Sequence, residues 1–121
     1  MSVLDASALL AFLQDEPGAD AVERALEQGA VIGSANYSET ALKVIARGAS
    51  WPVVRALLDS YALGVEVVTR EDAERAAALW QGGSGLSLGD RLCLALGDRT
   101  GREVLTADSA WGTEGRVRQI R

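Results

Sequence analysis

Apolar and polar positions alternate in blocks that change period several times along the chain. Val3-Leu4 is a short apolar run that stops at Asp5, and Leu9, Leu10, Phe12 and Leu13 then recur at helical spacing. That pattern predicts a buried strand over 2–4 passing directly into a helix over 7–15. Pro17-Gly18 breaks the helix. Ala21, Val22, Ala25 and Leu26 share one face of a second helix over 19–28, which Gly29 ends. Ala30–Gly33 is a second buried strand. Ser34 is placed to cap a helix running to Arg47, and Gly48 stops it. Pro52 suits the first turn of a helix over 51–62. Val65–Val68 is a third strand, and Thr69 caps a helix over 70–80. Ser87 caps another that runs to Thr100. Glu103–Thr106 is a fourth strand, and Val117–Ile120 adds a short edge strand. Strands alternating with helices imply a parallel sheet covered by helices, an α/β sandwich of αβα type with a small, mainly parallel sheet. Residues 1–121 read as one domain, with no repeat or linker.

Composition narrows the chemistry. An apolar fraction of 48% is ample for a core. No apolar run approaches the roughly 18 residues of a membrane span, and no basic segment precedes the first apolar stretch, so a cytoplasmic location is expected. There is no histidine, which removes imidazole as base, acid or ligand. With the single Cys93, expected to be a buried thiol, zinc sites are also excluded. Any metal must be held by oxygen, which points to Mg2+ or Mn2+. The net charge of -5 argues against a passive nucleic-acid binder. It leaves room for a nuclease whose acids gather at a metal, because a bound cation inverts the local field.

The acids are unevenly placed. Asp5 ends the first strand, Asp108 follows the fourth, Asp90 lies in the first turn of its helix, and Glu39 lies early in the helix after the second strand. Helix N-termini and strand C-termini share one edge of a parallel sheet, where such folds bind ligands. Two ionised carboxylates about 5 Å apart repel by roughly 3 kcal/mol at an effective dielectric near 20, and a divalent cation is what offsets that cost. Plainer roles are open for each acid. Asp5 suits an N-cap, Asp90 a capping box with Ser87, Glu39 a helix pair with Lys43, and Asp108 a turn. Asp15, Glu16, Asp20, Asp59, Asp72 and Asp98 read as solvated. Gly82–Gly85 resembles a phosphate cradle, but no Lys-Ser/Thr follows it.

The segments Val3-Leu4-Asp5-Ala6-Ser7-Ala8-Leu9-Leu10, Ser38-Glu39, Leu86 to Ala95, and Val104-Leu105-Thr106-Ala107-Asp108 occur in this order over the full length. Together they resemble a PIN-domain ribonuclease, specifically the toxin of a VapBC-type toxin–antitoxin pair. The resemblance implies a metal-dependent endoribonuclease. Asp5, Glu39, Asp90 and Asp108 would form its acidic quartet, with Asp5, Asp90 and Asp108 on Mg2+ or Mn2+, and Ser7 and Thr106 in support. Glu39 would orient or deprotonate the attacking water. Lys43 and Arg91, beside acidic positions, would contact phosphate or neutralise those acids. The implied partners are RNA, an antitoxin and a second copy of the chain. Apolar Val54, Leu57, Leu58 and Tyr61 suit either an interface or plain core packing. Two other readings are a PIN-like domain kept as a non-catalytic binding partner, and a receiver-type signalling domain. The receiver pattern needs paired acids after the first strand and a late lysine, whereas Asp5 stands alone and the one lysine is Lys43. An Asp-x-Asp phosphatase fails because Ser7 fills its second acidic position.

Overall fold

The computed structural model describes residues 1–121 throughout. Five strands, β1 (Ser2–Leu4), β2 (Ala30–Gly33), β3 (Gly64–Glu66), β4 (Val104–Thr106) and β5 (Val117–Gln119), form one sheet in the order β3-β2-β1-β4-β5. Every neighbouring pair is parallel. The helices are α1 (Ala6–Leu13), α2 (Ala19–Glu27), α3 (Ser34–Ala46), α4 (Trp51–Ser60), α5 (Arg70–Ala78) and α6 (Leu88–Thr100). A 3-10 turn, Ser109–Trp111, follows β4. The predicted αβα sandwich is the observed fold. No helix is long and apolar enough to cross a membrane.

Period-two alternation in the three central strands divides the core. Leu4, Ile32 and Leu105 face one side, where Leu9 of α1, Val22 and Leu26 of α2 and Leu58 of α4 cover them. Val3, Val31 and Val104 face the other side, against Cys93 and Leu96 of α6 and Trp111. Gly97 lets α6 lie directly on β4, since a Cβ there would collide with the Val104 side chain. Cys93 is the buried free thiol expected.

Several sequence-derived readings need correction. The helix of 7–15 begins at Ala6 and ends at Leu13, because Asp15 takes the left-handed backbone ahead of Pro17. Gly33, not Ser34, caps α3, and Ser34 is the first helical residue. The third strand is Gly64–Glu66 rather than 65–68: Gly64 already pairs with Val31, and Val67 and Val68 lie outside the sheet and exposed. Asp72 is not solvated but only 3% exposed. It completes a capping box with Thr69 and accepts a two-pronged bond from Arg99, Nε to Oδ1 at 2.7 Å and Nη2 to Oδ2 at 3.1 Å. Although its burial favours the neutral acid, the Arg99 fork and the Thr69 bonds together hold its pKa below the usual value. This pair ties α5 to α6 and thereby supports the helix that carries Asp90.

Candidate active site at the carboxyl edge of the sheet

β1 is the central strand, and the chain turns from one half of the sheet to the other beside it, between β1 and β4. Ligands in open parallel sheets bind at this switch point, outside the strand C-termini. Asp5 is the residue that emerges there. It is 3% exposed and caps α1, with Oδ1 accepting the Ala8 N–H at 2.7 Å. The Ser7 hydroxyl donates to the same carboxylate at 2.8 Å, and the Thr106 hydroxyl donates to Oδ2 at 2.6 Å. The orientation of both hydroxyls is fixed from the other side. Ser7 Oγ accepts the Ala107 N–H at 2.9 Å, and Thr106 Oγ1 accepts the Asp108 N–H at 3.0 Å. The backbone leaving β4 thus turns two hydroxyl protons toward Asp5.

No cation pairs with Asp5. Burial, the largest influence, and more weakly the charge of Asp90 raise its pKa to about 6 against the lowering by these hydrogen bonds. Asp90 performs the capping-box role open to it from the sequence. Its Oδ2 accepts the Ser87 N–H at 2.9 Å while Ser87 Oγ accepts the Asp90 N–H at 3.1 Å. That leaves Oδ1 without a hydrogen-bond partner. Glu39 stands beside the first turn of α6: its Oε2 lies 4.0 Å from the position a Cβ would take on Gly89. Its other oxygen pairs with Lys43 Nζ at 3.3 Å. Asp108 is exposed and caps the 3-10 turn through the Ala110 N–H at 2.9 Å. Arg91 points elsewhere, donating from Nη1 to the Ala76 carbonyl of α5 at 2.8 Å.

The four acids therefore occupy one sheet edge, but no three acidic side chains close around a common point. Each of the three outer carboxylates is held by a local partner, Asp90 by the Ser87 N–H, Glu39 by Lys43 and Asp108 by the Ala110 N–H. Below the site, burial pushes the Cys93 thiol well above its ordinary pKa, and Asp5 and Asp90 push it further, so it stays protonated and unreactive.

One positioning residue escapes the sequence reading. Asn36, 2% exposed, accepts the Ala6 N–H on Oδ1 at 3.1 Å and donates from Nδ2 to the Gly89 carbonyl at 3.1 Å. A single side chain on α3 thus joins the backbone beside Asp5 to the backbone beside Asp90. The available signal was a polar residue three positions before Glu39, on the same side of the helix.

An all-parallel α/β sheet with a desolvated aspartate at its switch point and further acids on the same edge defines the structural class. The PIN domain family model matches residues 2–112, and the chain belongs to that family. A toxin–antitoxin complex from Klebsiella pneumoniae contains a similar chain, 18% identical with a TM-score of 0.81, covering 100% of this chain and 98% of that one. The crystal structure of a Pyrobaculum aerophilum protein is also similar, 18% identical with a TM-score of 0.65, over 98% of this chain and 83% of that one. At these identities the likeness is one of fold. No curated protein matches the chain.

Two expectations follow. Without divalent cations, folded Asp5 holds its proton up to about pH 6, whereas the unfolded residue releases it near 3.8. The native state then binds more protons between these values, so stability falls as pH rises through that window, by about 3 kcal/mol at most. Asp5→Asn should lack this slope and be about 1–3 kcal/mol more stable than wild type at pH 8 in EDTA, allowing for the donor bonds it weakens. Urea melts at pH 4, 6 and 8 measure this, and equal slopes in both proteins would refute the assignment. Asn36→Ala leaves the buried Ala6 N–H unpaired and removes the link to the Gly89 carbonyl, and should cost about 1–3 kcal/mol in the same melts.

Proposed function

We propose that the protein is a Mg2+- or Mn2+-dependent endoribonuclease, the toxin of a toxin–antitoxin pair. The observation that carries the reading is the buried carboxylate of Asp5, oriented by Ser7 and Thr106, left without a cation partner, and faced by Asp90. The donor set fits a hard divalent ion, since it contains only oxygen and its most buried member has no compensating positive charge. Asp5, Asp90 through its uncommitted oxygen, and Asp108 would hold the ion. Bound there, it would supply charge neutralisation at the scissile phosphate and a water of lowered pKa.

The remaining work falls to side chains of the chain. Glu39, half-exposed and beside the first turn of α6, orients the attacking water and accepts its proton. Lys43, already paired with Glu39, swings to a phosphate oxygen when substrate enters. Arg91 keeps its bond to Ala76 in the present arrangement, so its contact with phosphate requires release from α5. Ser7 and Thr106 hold Asp5 in one rotamer.

The decisive experiment incubates the protein with single-stranded RNA in EDTA, Mg2+ and Mn2+. Cleavage should require the metal and should fall to background in Asp5→Asn and Asp90→Asn, both folded by circular dichroism. Wild-type rates in either variant would overturn the site. Mn2+ alone should raise the melting temperature of the wild type by binding only the folded state.

The antitoxin and the second copy of the chain have a surface to occupy. Leu42 and Ile45 on α3 and Val53 and Leu57 on α4 are 43–68% exposed, whereas Leu58 is buried in the core. The helix therefore packs on one side and leaves apolar residues exposed on the other, which supports an interface there. An antitoxin helix would lay its apolar side on this surface and present a basic side chain to the acidic edge. Light scattering should give a dimer that Leu57→Asp dissociates, and a monomer at 100 μM, about a hundredfold above a micromolar Kd, would refute the dimer. Co-expression with an adjacent small reading frame should give a complex that no longer cleaves RNA.

A further inference from the structure

A groove of about 410 Å3 opens beside the candidate site, between α1, the C-terminal half of α3 and Arg121, two residues beyond β5. Ser7, which holds Asp5, forms its inner end, and Lys43, the partner of Glu39, lies on its wall. Farther out, Gln14, Arg47 and Arg121 line it together with Glu16. Three cations meet one acid there, in a chain whose acids outnumber its bases by 17 to 12. The groove along α5 and α6 differs, because its arginines Arg70, Arg75 and Arg99 are outnumbered by acids and two of them are paired.

Arg121 is partly engaged, with Glu16 at 3.6 Å and the Pro17 carbonyl at 3.0 Å. Arg47 forms no ion pair and no side-chain hydrogen bond, and it stands exposed at the end of α3. Compensation of the helix dipole accounts for a cation at that end. It does not account for Arg47 opening onto the same groove as Lys43, one turn along the helix. The two are about 6 Å apart along the axis, close to the separation of adjacent phosphates in an extended single strand.

We propose that this groove is the track along which the phosphate backbone of a single-stranded RNA runs into the acidic site, with Lys43 at the inner phosphate and Arg47 and Arg121 at phosphates farther out. The proposal rests on the ribonuclease reading, and it adds a binding track on one defined side of the cleaved bond. Attraction to phosphates at a distance raises affinity without changing the reacting groups, so it acts on KM.

The test uses the full chain and a labelled 12-nucleotide RNA. Arg47→Gln should raise KM about five- to tenfold with kcat within twofold of wild type, and the double variant with Arg121→Gln should raise it further. A dinucleotide substrate, too short to reach Arg47, should show no change. In the cleavage-silent Asp5→Asn background, Arg47→Gln should flatten the salt dependence of RNA binding by about 0.7 in log–log slope, the value for one phosphate contact on a single strand. An unchanged slope, or an equal loss of binding to polyglutamate, overturns the track. If RNA is cleaved and Arg47 has no effect, the track fails and the ribonuclease reading stands. If no RNA is cleaved although binding depends on Arg47, the ribonuclease reading fails, and the track as an approach to a cleaved bond fails with it.

Discussion

Asp5 is taken out of water at the end of the central strand, and much of the architecture answers to that one carboxylate. Its backbone N–H bonds the Leu105 carbonyl and its carbonyl accepts the Leu9 N–H, so the same residue closes β1 against β4 and opens α1. Its side chain gathers a helix N–H and two hydroxyls, which in turn gather the two N–H groups that leave β4. Removing solvent from a carboxylate costs more than these donors return, which is why its pKa rises despite them. In a small domain with only about 5–15 kcal/mol of net stability, that cost is a sizeable share of the whole.

The helices serve that position unequally. α1 begins at Asp5. α3 contributes Asn36 as a strut between the Asp5 and Asp90 backbones and carries Glu39 one turn on. α6 presents Asp90 from its first turn while its other end is pressed against β4 at Gly97. α5 supplies none of the four acids at the sheet edge, yet Asp72 and Arg99 bind it to α6 through a fork of two short hydrogen bonds. The acidic edge is thus built on the sheet and on helix starts, while the apolar parts of α3 and α4 that remain exposed lie beyond it.

What the sequence revealed depended on the range of the interaction. Asp5, Asp90 and Asp108 were legible because each is a cap or a strand end, features written within three or four neighbouring residues. The sheet was legible because apolar runs of three or four residues alternated with longer amphipathic ones. Asp72 was misread because its partner Arg99 is 27 positions away, and one-dimensional spacing does not distinguish a buried fork from a solvated acid. Asn36 was missed for the same reason, since its two partners lie 30 and 53 positions away. Arg91 shows the limit of adjacency: it follows Asp90 in sequence, but successive residues on a helix project about 100° apart, and its side chain bonds the Ala76 carbonyl of α5.

The cap formed by Asp90 bears on how such chains diverge. One of its oxygens closes the capping box with Ser87 and the other is unengaged. A lineage without the proposed chemistry that still needed a stable α6 would retain aspartate here for the cap alone. The persistence of an acid at this position in a descendant is therefore poor testimony to retained activity. Asp5 gives the better record, because without a ligand its charge is a liability, and drift toward a neutral residue there would be rewarded.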